Sequence, residues 1–245
     1  MRKVLSVLCV VFLSLLMVSQ VYGATLKEIQ DRGVIKVALD VTEPFCYEEE
    51  GQLKGLEVDM ANAIAEAIGV KLEISLPGWE NITKAWDPNY DWSDFDIAMG
   101  AITITEERAK VCDFSDWYFM SGQMVIVPKD SSIQSPDQLK GRKVAALKAS
   151  VCEDVASQLT DQIVLVSSVD EGYEKLLNGE ADAMVYDGGF LQYKVKKDPR
   201  FRLLDENFTR ERYGVAMPKN TSELKAVIDE VVKKNRKELF EKWFK

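Results

Sequence analysis

Phe95-Asp-Ile-Ala-Met-Gly100-Ala-Ile-Thr103-Ile-Thr-Glu-Glu-Arg108 is the stretch on which the reading of the fold turns. Phe95, Ile97 and Met99 alternate with their neighbours, the pattern of a half-exposed strand. Thr105, ahead of Glu106 and Glu107, opens a helix. Between the two lie small residues, which let a ligand approach the backbone closely. Thr103 offers a hydroxyl, and Arg108 a planar fork suited to a carboxylate. The competing reading is a surface arginine paired with Glu106 or another neighbour on a solvated helix. A strand that runs through small residues into a helix is an α/β unit, and ligands in such sheets sit at the carboxyl ends of strands.

The same alternation extends in both directions. Thr25 caps a short helix carrying Leu26 and Ile29, with Gly33 just past its end. Val34 to Leu39 reads as a strand, Glu49-Glu50-Gly51 as a turn, and Val58 to Ile68 as a helix with apolar residues at 58, 61, 64, 65 and 68. Val70, Leu72 and Ile74 form another half-exposed strand. In the second half, Met124 to Val127, Lys143 to Leu147 and Ala183 to Tyr186 are strands. Ser135-Pro136-Asp137 is a helix start with proline in the first turn. Ser150 with Glu153, and Ser168 with Glu171, read as capping boxes. Leu224, Val227, Ile228, Val231, Val232, Leu239, Trp243 and Phe244 mark a C-terminal helix over 222–245. There is no low-complexity linker, so two lobes must be joined by extended strands.

Composition removes whole classes of function. The 245 residues contain no histidine, which excludes a Ser-His-Asp triad, a Cys-His pair and an imidazole metal site. A net charge of −9 argues against nucleic-acid binding, which needs a basic footprint. Arg2 and Lys3 precede an uncharged run from Val4 to Val21, and Val21-Tyr22-Gly23 fits a signal-peptidase site. Residues 1–23 are therefore read as a signal peptide cut after Gly23. Its removal takes away two positive charges and no acid, so −9 becomes −11, and the product is expected to be soluble and exported. Cys46, Cys112 and Cys152 remain; at most one disulfide can form among them, and buried free thiols are the expectation. No CxxC spacing points to metal or redox chemistry, and no cofactor is expected.

Further candidate sites lie at other strand ends. Leu147-Lys-Ala-Ser150-Val151 is a second strand-to-helix joint, whose free N–H groups attract an anion, although a cap at Ser150 is a sufficient structural explanation. Asp187 ends a strand ahead of Gly188-Gly189 and either caps the next helix or receives an ammonium. Asp40 ends the strand Val34 to Leu39. Trp79, after Pro77-Gly78, offers a flat face to a ligand or belongs to the core.

These residues together resemble the periplasmic solute-binding proteins of polar amino-acid ABC transporters, a family related to the ligand-binding cores of ionotropic glutamate receptors. The resemblance spans nearly all of the mature chain. It is carried by Gly-Val-Ile-Lys-Val-Ala-Leu-Asp at 33–40, Glu-Pro-Phe at 43–45 and Gly-Gln-Leu-Lys-Gly-Leu-Glu-Val-Asp-Met-Ala at 51–61. It continues through Asp96 to Gly100, Thr103 to Ala109, Asp113-Phe-Ser-Asp116, Leu139 to Ala145, Leu177 to Ala183 and Glu241-Lys-Trp-Phe244. It implies a type II periplasmic-binding-protein fold, two α/β lobes joined by two crossing strands. Lobe 1 is expected over about 24–120 and 214–245, and lobe 2 over about 123–212. The ligand would lie in the cleft of what is expected to be a monomer, periplasmic or secreted, that delivers an amino acid to an ABC permease. The resemblance places the carboxylate-binding arginine on Arg108. It places the ammonium-binding hydroxyl on Thr103, beside the Ala101 carbonyl and next to Gly100. Asp187 completes the ammonium site, Ser150 and Val151 meet the carboxylate, and Trp79 is an aromatic shelf.

Two departures bear on the side-chain pocket. The loop after Asp40 looks one residue short and carries Thr42-Glu43 instead of an aromatic, and Val151 stands where a hydroxyl residue is usual. Asp40 and Glu43 would make the pocket acidic, which favours a cationic side chain such as lysine or arginine. The alternative is a cyclohexadienyl (prephenate or arogenate) dehydratase-like enzyme using the same cleft, with Glu153 as its general acid.

Overall fold

The computed structural model describes residues 23–245, and the signal segment, Gly23 excepted, lies outside them. Two five-stranded sheets organise the chain. In the first, Lys71–Ser75, Val34–Ala38 and Ile97–Ala98 run parallel, followed by Ala216–Met217 and Asp113–Phe114. In the second, Gln162–Val166, Lys143–Leu147 and Ala183–Asp187 run parallel, followed by the antiparallel Gln123–Pro128 and Phe201–Leu203. The two sheets thus share one plan. In each, the first parallel strand in sequence lies between the other two, which creates a switch point at its carboxyl end. The strands beside those switch points, Ile97–Ala98 and Ala183–Asp187, are buried throughout, as strands covered on both faces must be.

The chain passes between the sheets along Phe119–Ser121 and returns along Glu211–Tyr213, and these segments pair antiparallel with Phe119 opposite Tyr213 and Ser121 opposite Glu211. This is the two-lobed α/β fold with two crossing strands. Gly122 follows the first crossing strand, where a Cβ would stand 2.0 Å from the Thr209 carbonyl oxygen, so only glycine fits the entry into the second sheet. The helix Ser222–Phe244 returns to the first lobe and buries Leu224, Ile228, Val231 and Val232 as one stripe against Leu56–Ile68. Among the described residues no helix is long and apolar enough to cross a membrane.

Local readings hold where the local chemistry is complete. Thr25 and Glu28 form a reciprocal capping box, and Gly33 closes the helix Leu26–Arg32 in the left-handed region at φ 72°. The turn at Glu50-Gly51 has both residues left-handed, as a two-residue hairpin requires. The other two capping boxes are corrected. Glu153 accepts from the Ala149 N–H at 2.8 Å and not from Ser150, while Glu171 accepts from Ser167. Each glutamate reaches one residue further back than the motif assumes. Ser135-Pro136 starts only a single 3₁₀ turn over Pro136–Leu139. All three described cysteines are free and buried.

Candidate functional site

Two strand ends face each other across the lobes. On the first, the chain leaves Ile97–Ala98 and reaches Ala101 with φ 50°, a left-handed conformation that costs a residue bearing a Cβ roughly 1–2 kcal/mol. The Ala101 N–H donates to Glu57 Oε1 at 2.7 Å, and the Tyr118 hydroxyl donates to the same oxygen. On the second, Ala149 follows Lys143–Leu147 with φ 56°, and its N–H donates to Glu153 at 2.8 Å. The two joints are built alike, with a left-handed alanine whose amide is held by a glutamate. At both, the backbone is turned so that a peptide group borders the cleft.

Arg108 lies in the helix Glu106–Val111, whose N-cap Thr105 accepts the Arg108 amide at 3.2 Å. The residue is 8% exposed, and its side chain turns inward. Nη1 donates to the Thr103 carbonyl at 3.0 Å, and the guanidinium carbon sits 4.7 Å from the Trp86 ring centroid and 5.6 Å from that of Trp79. It makes no ion pair among the described residues, so the surface pairing with Glu106 is set aside. Burial lowers its pKa, and the nearby Asp187 carboxylate opposes that shift. A guanidinium nonetheless stays charged.

Asp187 ends the strand Ala183–Asp187, and its side chain does not cap the following helix. Its Oδ1 instead accepts from Gln123 Nε2 at 3.0 Å and from the Tyr213 hydroxyl. Burial above all, then the charge of Glu211, raises its pKa to about 7. Thr103 Oγ1 donates to Glu211 Oε2 at 2.6 Å, so the acid of the returning crossing strand fixes the hydroxyl of the first lobe. Glu57 is fully buried and is likewise raised to about 7, chiefly by desolvation.

Trp79, Gly100, Ala101, Thr103, Arg108, Ser150, Val151 and Asp187 line one cavity, together with Gln123, Leu147, Cys152 and Tyr186. It encloses about 20 Å³, room for about one water molecule. The Trp79 indole donates across the lobes to the Lys148 carbonyl at 3.0 Å. The lobes are therefore closed, and a larger guest enters only when they part. Ser150 caps the helix Val151–Leu159, with its Oγ accepting from the Cys152 amide at 3.2 Å.

Asp40 and Glu43 do not line this cavity. Asp40 stands behind Gly100, where a Cβ on that glycine would come within 3.0 Å of the Asp40 Cβ, and burial raises its pKa. Glu43 is corrected more strongly: its carboxylate accepts from Tyr193 at 2.9 Å and from the Lys197 ammonium at 2.6 Å, across the outer mouth of the cleft. Sequence reasoning missed Gln123, Glu57, Glu211 and Tyr213. Of these, only Glu57 left a signal, because 57, 61, 64 and 68 place it on the apolar face of its helix. No group of acids and cysteines converges as a metal site among the described residues.

Comparison with known proteins gives a consistent result. The model of the bacterial extracellular solute-binding proteins, family 3, matches residues 35–245. A glutamine-binding protein of Geobacillus stearothermophilus is 34% identical over 204 residues, covering 80% of this chain and 77% of that one. An ancestral arginine-binding protein bound to arginine superimposes with a TM-score of 0.79 at 32% identity, covering 87% of this chain and 99% of that one. The ancestral amino acid-binding protein AncCDT-1, a precursor of cyclohexadienyl dehydratase, superimposes at 0.80 with 33% identity, covering 91% and 100%.

Proposed function

The chain belongs to the bacterial extracellular solute-binding proteins of family 3, and from that premise we propose that it is exported, closes its lobes around an L-amino acid and delivers it to an ABC permease. One observation carries this reading. Arg108 and Asp187 are both buried, carry opposite charges, come from different lobes and face one cavity without forming an ion pair with each other. An α-amino acid is the complementary zwitterion. Its carboxylate meets Arg108 and the helix start at Ser150 and Val151. Its ammonium meets Asp187, Thr103 and the Ala101 carbonyl.

Magnitudes are sufficient. A hydrogen bond to a charged group contributes roughly 1.5–3 kcal/mol, and a micromolar complex needs about 8 kcal/mol net. Because the two charges sit on different lobes, the ligand favours the closed state by binding it better than the open one.

A cationic side chain is favoured, now on different grounds. Glu43 is engaged by Lys197, but the carboxylates of Asp187 and Glu211 both act on the single guanidinium of Arg108 and outnumber it. A second positive charge on the ligand offsets part of that excess. The dehydratase alternative has less support, because the Glu153 carboxylate accepts from the Ala149 amide and does not line the cavity. The matched curated relatives are binding proteins, and the chain is read as one.

The test is a thermal-shift panel over the twenty amino acids, polyamines and prephenate. A ligand at 100 times its Kd adds about 2.7 kcal/mol of stability. Shifts confined to neutral amino acids would remove the cationic preference, and no shift with any amino acid would remove the function.

A further inference from the structure

Gln123 opens the strand Gln123–Pro128 directly after the first crossing strand, and in the antiparallel ladder it stands opposite Asp187. Side chains directly opposite on one face of a sheet touch. Here the touch is a hydrogen bond from Gln123 Nε2 to Asp187 Oδ1 at 3.0 Å. Only the amide nitrogen can face a carboxylate, so the amide oxygen is turned to the other side. That oxygen is buried, the residue is 1% exposed, and Oε1 has no hydrogen-bond partner. Orphaned buried acceptors are rare and costly. Among the described side-chain atoms two acceptors, Glu57 Oε2 and Gln123 Oε1, and one donor, the Trp86 indole N–H, lack a partner, and of those residues only Gln123 lines the cleft cavity.

A residue needed only to orient Asp187 would gain nothing from an oxygen left without a donor. We propose that Gln123 contacts the ligand directly, its Oε1 sharing the three ammonium hydrogens with Asp187, Thr103 and the Ala101 carbonyl. The inference rests on the amino-acid reading of the cleft and deepens it. The seat is specific for a primary ammonium: four acceptors converge on three hydrogens, and each hydrogen lost from the nitrogen leaves a further one buried and unpaired.

The experiment is calorimetric titration with L-arginine, or with L-glutamine if arginine gives no heat, and with the Nα-methyl form of the same amino acid. Wild type is expected to bind the methylated form at least tenfold more weakly, and Gln123→Met to weaken the unmethylated form about tenfold while discriminating between the two much less. A positioning role acts only through Asp187, so the same substitution is also made in Asp187→Asn. A further loss there of about tenfold supports direct contact, and no further loss overturns it. Equal affinity of wild type for both forms also overturns it, and this arm needs no variant to fold. Silence towards both moves the titration to the remaining amino acids, and silence of wild type towards all twenty removes the reading of the cleft, and the inference with it.

Discussion

Glu43→Gln separates two accounts of one residue. On sequence alone Glu43 belongs to the ligand pocket. In the structure its carboxylate spans the outer mouth of the cleft, from the loop after Val34–Ala38 in one lobe to Tyr193 and Lys197 on the helix Gly188–Lys197 of the other. The hydrogen bond with Glu43 raises the Lys197 pKa, so Lys197 keeps its charge near neutrality. The paired side chains are 37% and 56% exposed, however, and water screens them. Such exposed pairs contribute ~0–1 kcal/mol. Glutamine keeps an acceptor for Tyr193 and removes only the charge. The closed state then loses about 1 kcal/mol at most, which is about fivefold in the closing equilibrium and in apparent affinity. Titration calorimetry at low and high salt reads this directly, and the difference from wild type should shrink as salt rises. A loss of a hundredfold or more, independent of salt, would belong to a buried charge pair with the ligand. It would refute the latch and restore the sequence-based assignment.

Affinity should depend on pH. Asp187 has its carboxyl raised to about 7, and a bound ammonium needs the ionised form. Binding is therefore expected to weaken about tenfold per pH unit below about 7, with proton release visible as buffer-dependent heat. The ligand-free protein shows the opposite sign. Asp187 and Glu57 hold protons more tightly folded than unfolded, so stability should fall as pH rises from about 4 through about 7, as followed by denaturant titration. All three described thiols are buried and raised, Cys46 and Cys112 to about 12, so a thiol reagent should find none accessible until denaturant is added; rapid labelling of the native protein would contradict their placement. Ala149→Gly should stabilise the fold by about 0.5–1 kcal/mol in chemical denaturation, because glycine relieves the left-handed backbone at an exposed position.

The fold was legible because each element carried its own boundary. Thr25, Gly33, the Glu50-Gly51 turn, Thr105 and the apolar stripes at 58–68 and 224–239 all fall where the structure uses them. Eight of the residues that line the cavity between the lobes were legible because they sit at strand ends and helix starts, which sequence can locate. What stayed hidden depends on register between distant segments. Nothing local in Gln123 or Glu211 shows that one stands opposite Asp187 and the other receives Thr103 across 108 positions. Glu43 misled for the same reason, since its partner lies 154 residues away on the facing lobe. The capping boxes failed by a single residue because a glutamate side chain is long enough to reach either of two neighbouring amides.

The proposed function requires one buried guanidinium, that of Arg108, to hold the carboxylate of an amino acid between closing lobes. Titration of Arg108→Ala with an amino acid that binds wild type tests it most directly. Removing one partner of a buried charge pair costs about 2–5 kcal/mol, so affinity should fall at least about thirtyfold, taking a micromolar ligand to a Kd of tens of micromolar or weaker. Affinity within a few-fold of wild type, in a variant whose circular dichroism is unchanged, would contradict the account.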